Sequence, residues 1–150
     1  MATRRWSRVM TMLVPLALMW LGPAASAVEV SDLKGFEELF GRYAPGGDCN
    51  RKPQVVVDVA GITFEVDGTR EVVSNPEYAA AYGPHDYSGI SQWFFPFRIK
   101  DGYPVLMTFN HEEKKGVLAI DPHDEGYPGG PKLSARNQAL VSGSPYARCN

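Results

Sequence analysis

Apolar residues recur along this chain with two periods. Leu33, Phe36, Leu39, Phe40 and Tyr43 follow helical spacing. Ser31 or Asp32 can cap that run, and Pro45-Gly46-Gly47 stops it, so a helix is expected between them. From Gln54 to Val59 and from Ile62 to Val66 the residues are β-branched, with Gly61 between the two stretches. Asp67-Gly68 is a two-residue hairpin signal, and Thr69 to Val73 returns as a strand. Asn75-Pro76 opens an Ala/Tyr-rich stretch, Glu77 to Tyr82, which predicts a helical turn. Gly83 to Gly89 reads as loop.

A second β region runs from Ile90 to Ile99 and holds the aromatic run Trp93-Phe94-Phe95-Pro96-Phe97. In a strand, Trp93, Phe95 and Phe97 share one face and Phe94 the other. Pro96 cannot donate to a ladder, so an edge or a bulge is expected there. Val105 to Phe109 and Gly116 to Ile120 should pair across Asn110 to Lys115, and Asp121 to Pro131 reads as a long Gly/Pro loop. Ser134 can cap a last helix through Leu140 or Val141, with Gly143 as its stop. The expected fold is therefore α+β. It has an antiparallel sheet of about five or six strands, with N- and C-terminal helices over one face.

The first 27 residues depart from this pattern and read as a secretory signal peptide. Arg4, Arg5 and Arg8 precede an apolar stretch from Val9 to Leu21, and Ala25-Ser26-Ala27 supplies a cleavage site. That stretch is shorter than the ~20 residues a membrane span requires. The expectation is one globular domain, residues 28 to 150, that is periplasmic or secreted after cleavage near Ala27. Of 150 residues, 44% are hydrophobic and 21% charged, which excludes disorder throughout. Removing the leader takes away three bases and no acids, leaving five more acids than bases. Nucleic acid and anionic membrane are thus poor partners, and a basic protein is favoured. In an oxidising compartment Cys49 and Cys149, the only cysteines, are expected to form a disulfide.

Catalytic patterns are thin. No Gly-x-Ser-x-Gly elbow is present, and His85-Asp86, adjacent in a loop, do not by themselves make a dyad. Neither a cofactor nor a metal is expected. The nearest approach to a metal loop is Asp121, His123 and Glu125, followed by Gly126. Pro122 interrupts that calcium-type spacing, and Lys132 stands where a bidentate glutamate belongs.

Ser142-Gly143-Ser144-Pro145-Tyr146 resembles the Ser-Gly-x-x-Tyr loop of the bacterial periplasmic lysozyme inhibitors. Tyr87-Ser88-Gly89-Ile90-Ser91-Gln92 offers a second Ser-Gly, with Gln92 in place of the tyrosine. The resemblance implies a loop that inserts into an enzyme's cleft and meets its catalytic carboxylates. The tryptophan that follows the loop in that family is absent here. On this reading the chain is a non-enzymatic binding protein, an inhibitor or immunity-type protein against a cell-wall hydrolase. Its contacts would be Ser88, Gly89, Trp93, Ser142, Gly143 and Tyr146, with Tyr and Trp as anchors. Two other classes stay open. One is a structural envelope component assembling through Trp93 to Phe97. The other is a small metal-assisted hydrolase using His85, His111 and His123.

Overall fold

The structure, a computed structural model, describes residues 27–79, 89–123 and 131–149. The β-branched stretches form strands where alternation places them. These are β3 (Gln54–Asp58), β4 (Gly61–Val66) and β5 (Thr69–Val73). The β4–β5 turn holds Asp67 at φ 49° and Gly68 at φ 76°, the left-handed pair that matches strand twist. The expected second hairpin is also present, as β8 (Val105–Phe109) and β9 (Val117–Pro122).

The α+β expectation is overturned. Ten strands make one antiparallel sheet that curls into a half-barrel, and a single α-helix is found among the described residues. The extra strands arise in three places. The expected first helix is instead a turn at Asp32–Gly35, one 3-10 turn at Glu37–Leu39, and then strand β2 (Gly41–Pro45). Gly35 at φ 90° and Gly41 at φ 146° interrupt any helix, and Asp32 Oδ1 accepts the Lys34 amide. Leu33, Leu39 and Tyr43 are nonetheless buried, so the apolar spacing marks the core without marking a helix. Of the expected helical turn from Glu77 to Tyr82, residues 77–79 form strand β6 (Glu77–Ala79), paired with a two-residue β1 (Val28–Glu29), and residues 80–82 lie outside the described residues. The tail supplies β10 (Tyr146–Arg148).

The aromatic region gives only a short strand, β7 (Gln92–Phe95), which ends before Pro96. It is neither an edge nor bulged, because β6 and β8 flank it. Phe94 enters the core, and Phe95 is buried on the opposite face against Tyr103 at 4.6 Å. Phe97 lies beyond the strand and packs on Phe64 at 4.9 Å between ring centres. The run is therefore buried on both faces for most of its length, and each fully buried aromatic contributes on the order of 1.5–3 kcal/mol.

The helix α1 (Ala135–Ser142) forms as its caps direct. Ser134 Oγ accepts the Asn137 amide at 3.2 Å, and Gly143 closes the last turn. Arg136 reaches from α1 over Phe64 and Phe97, at 5.5 and 4.9 Å from their ring centres, and pairs with Glu71 of β5 at 2.7 Å. The core runs through Tyr43, Phe64, Phe94, Phe109, Leu140 and Tyr146.

Strand β10 has a special place. The sheet order is β1-β6-β7-β8-β9-β10-β2-β3-β4-β5, so this three-residue strand joins two wings. Tyr146 and Ala147 pair with Leu118 and Val117 on one side. Tyr146 to Arg148 pair with Pro45 to Tyr43 on the other. The Cys49–Cys149 disulfide ties the residue after β10 to the β2–β3 connection, as expected from the sequence.

Candidate functional site

Ser142-Gly143-Ser144-Pro145 carries the chain from α1 into β10, and its shape follows from its neighbours. Tyr146 is buried and donates its hydroxyl to the Leu140 carbonyl at 2.6 Å. Burial pushes the Tyr146 phenol well above its usual range, and the Tyr43 phenol rises for the same reason. A Cβ on Gly143 would stand 2.5 Å from the Tyr146 hydroxyl and 3.2 Å from Pro53, so only glycine lets this ring close against the helix end. Ser144 Oγ accepts the Ile120 amide at 2.9 Å, fixing the turn to β9. Ser142 and Pro145 remain exposed.

Open grooves flank this turn. One, of about 610 Å³, lies between Ser142–Pro145 and the β2–β3 connection, with Arg51, Lys52 and Asp67 on its walls. Another, of about 380 Å³, lies between Ser144-Pro145 and the β8–β9 turn, with His111, Glu112 and Asp121 on its walls. A third, of about 500 Å³, continues past Val117 and Ala147 to Glu38, Lys115 and Arg148. The first two grooves share Ser144 and Pro145, and the second and third share Val117, so the turn is a ridge on a continuous furrowed surface.

The residues singled out from the sequence are distributed unevenly over this surface. Ser142 and Gly143 lie in the turn and line the larger groove. Tyr146 is in the core, so its ring supports the turn from beneath and is no surface anchor. Ser88 lies outside the described residues. Gly89 is exposed, and the segment after it is pinned to the β8–β9 turn. There Glu113 accepts the Ile90 amide at 2.6 Å and the Ser91 hydroxyl at 3.0 Å. Asn110, in the left-handed region at φ 51°, donates to the Ile90 carbonyl at 3.0 Å. The β8–β9 turn thus touches the Gly89 side and also lines the groove beside Ser144.

Trp93 is half-buried on the outer face of β7, in register with Ala79 and Thr108. Two residues along the same face stands a cluster that sequence reasoning missed. Phe95 lies 5.0 Å from the His123 ring, and the buried Glu77 carboxylate accepts from the Tyr103 hydroxyl at 2.5 Å and from Arg98 at 3.2 Å. Strands β6 and β7, the connection from β7 to β8 and the residue after β9 build this cluster, which left no local spacing to read.

Of the metal and hydrolase candidates, the described residues hold His111, Asp121 and His123. His111 sits at one end of the β8–β9 hairpin and His123 at the other, where its amide bonds the Pro104 carbonyl. A five-pair ladder separates them, which places them on the order of 17 Å apart. His85 and Glu125 lie outside the described residues. Asp121 lines the groove beside His111, and no group of three or more metal-binding side chains occurs among the described residues. No described helix is long and apolar enough to cross a membrane. The expected leader falls almost wholly before the described residues, and the disulfide is compatible with an extracellular or periplasmic setting. Compared with protein-family models, curated proteins and solved structures, the chain finds no match.

Proposed function

We propose that this chain is a small exported binding protein that engages another protein, as an inhibitor or immunity-type protein of a cell-wall hydrolase. The observation that carries the reading is the Ser142–Pro145 ridge. It exposes Ser142 and Pro145 between two open grooves, while the Gly143 and Ser144 amides bond back to α1 and the Tyr146 and Ser144 side chains tie its end to α1 and β9. A turn already held in one shape loses little conformational entropy on binding, which is the main cost an inhibitory loop must meet. The ridge is also the segment that resembles the lysozyme-inhibitor loop. The resemblance assigns contact to the tyrosine. The exposure of Ser142 and Pro145 and the burial of Tyr146 favour contact through Ser142, Gly143 and Pro145, with Tyr146 as their brace.

The test is a titration of the disulfide-bonded protein against a panel of lysozymes and other cell-wall hydrolases, with residual lysis as readout. Stoichiometric loss of activity for one enzyme supports the reading. Full activity of every enzyme at large molar excess removes it.

A further inference from the structure

The wing formed by β2 to β5 carries a charge pattern that the proposed ridge contact does not use. Alternation along these strands sends Tyr43, Val55, Val57, Ile62 and Phe64 inward. Arg42, Gln54, Glu65 and Arg70 are therefore left on the outer face. The register places Gln54, Glu65 and Arg70 in one cross-strand row, with Gln54 opposite Glu65 and Glu65 opposite Arg70. Arg42 donates to Gln54 at 2.6 Å and to Glu65 at 3.2 Å, and Lys52 bonds the same Glu65 carboxylate. One acid is thus held between two cations, with Arg70 beside it and Arg51 exposed nearby. The whole chain has the opposite balance, 17 acids against 15 bases.

We propose that this outer face, at Arg42, Lys52 and Arg70, docks clustered carboxylates on the surface of a protein partner. Three observations carry it. Arg42 and Lys52 already converge on one carboxylate oxygen, Glu65 Oε2, so the chemistry they select is on display at Glu65. The patch is continuous with the ridge, because Lys52 lines both the large groove beside Ser142 and the dent formed with Glu65, Thr69 and Arg70. The local excess of positive charge sits on a chain of net charge −2, which repels extended polyanions and anionic membranes at long range. A compact acidic patch on a neutral or basic protein meets the local attraction without that repulsion. The inference shares with the reading above only that the partner is a protein.

The experiment measures binding of a fluorescent glutamate-rich peptide to the disulfide-bonded protein by anisotropy, at about 20 and about 150 mM salt. The expected result is binding at low salt that weakens about tenfold in the Arg42→Gln/Lys52→Gln/Arg70→Gln variant. A Lys34→Gln/Lys100→Gln/Lys132→Gln control should bind as the parent does. If the triple variant lacks a thermal transition, Arg51→Gln/Arg70→Gln replaces it. That pair leaves the Glu65 contacts intact and should weaken binding about threefold. Absent binding, equal weakening in patch and control variants, or tighter binding of polyphosphate or anionic vesicles overturns the proposal. Hydrolase activity is not read, so this test and the inhibition test fail independently.

Discussion

Tyr146 donates its hydroxyl to the main-chain carbonyl of Leu140 at 2.6 Å, closing the turn between the only described α-helix and the strand that joins the two wings of the sheet. Both groups are buried, so ring and hydroxyl act separately. Tyr146→Ala should cost about 3–5 kcal/mol of stability, as for other large aromatic truncations in a core. Tyr146→Phe should cost about 1 kcal/mol, the net worth of one buried hydrogen bond. Urea unfolding checks both values. An unshifted midpoint for Tyr146→Ala would place the ring outside the core.

Gly143 has an ordinary helical φ of −80°, so its requirement for glycine is one of space. The Tyr146 hydroxyl and Pro53 occupy the volume a side chain needs. Gly143→Ala should therefore lower stability by about 1–3 kcal/mol through overpacking. Combined with Tyr146→Ala, the alanine at 143 should cost much less, because the tightest contact is gone and only Pro53 at 3.2 Å remains. Additive losses in that double variant would contradict the packing argument.

The disulfide closes a loop of 100 residues around the point where the wings meet. Chain entropy gives such a closure about 4–5 kcal/mol. Cys49→Ser/Cys149→Ser should lose a large part of that. Amide exchange in the variant should rise first in β10 and its pairing partners Tyr43–Pro45 and Val117–Leu118. Uniform protection across the sheet, with β10 unchanged, would show that the strand holds without its clamp.

Glu65 ties part of the stability to pH. The Lys52 hydrogen bond holds its carboxyl below the usual carboxylate range, with the Arg42 and Lys52 charges adding to the effect and partial desolvation opposing it. A folded-state value below the unfolded value of about 4.3 gives stability present above that pH and lost as pH falls through the folded value. Glu65→Gln should lower the urea midpoint at pH 7 and have a smaller effect at pH 3. An equal effect at both values would remove Glu65 from the acid response.

Much of the sheet is legible in the sequence, and the reason it is incompletely so is physical. Val55, Val57, Ile62 and Phe64 alternate cleanly, and Asp67-Gly68 marks its turn, because those strands pair with sequence neighbours. Strand β10 reaches β2 across more than 100 positions, and β2, although it also pairs with β3, carries Tyr43 in a helix-spaced apolar run, so neither reads as a strand locally. Leu33, Phe36, Leu39 and Tyr43 follow the spacing of a helix face and do face the core. Gly35 and Gly41 bend the chain so that it arrives there as turns and a strand. At the candidate site, Ser142-Gly143 is readable as a helix stop. The grooves around it draw walls from Arg51, Asp67, His111 and Asp121, and only the folded sheet brings those together.

The central claim is that the Ser142–Pro145 ridge is a protein-binding element braced from beneath by Tyr146. The most direct measurement is hydrolase inhibition by the parent protein, Ser142→Arg and Tyr146→Phe, side by side, with thermal melting of each. The account predicts stoichiometric inhibition by the parent and at least about a tenfold weaker effect for Ser142→Arg, whose exposed side chain blocks the contact without touching the core. Tyr146→Phe, which keeps the ring, should inhibit nearly as the parent does. Inhibition that survives Ser142→Arg unchanged, or no inhibition of any hydrolase by the parent, would contradict the account.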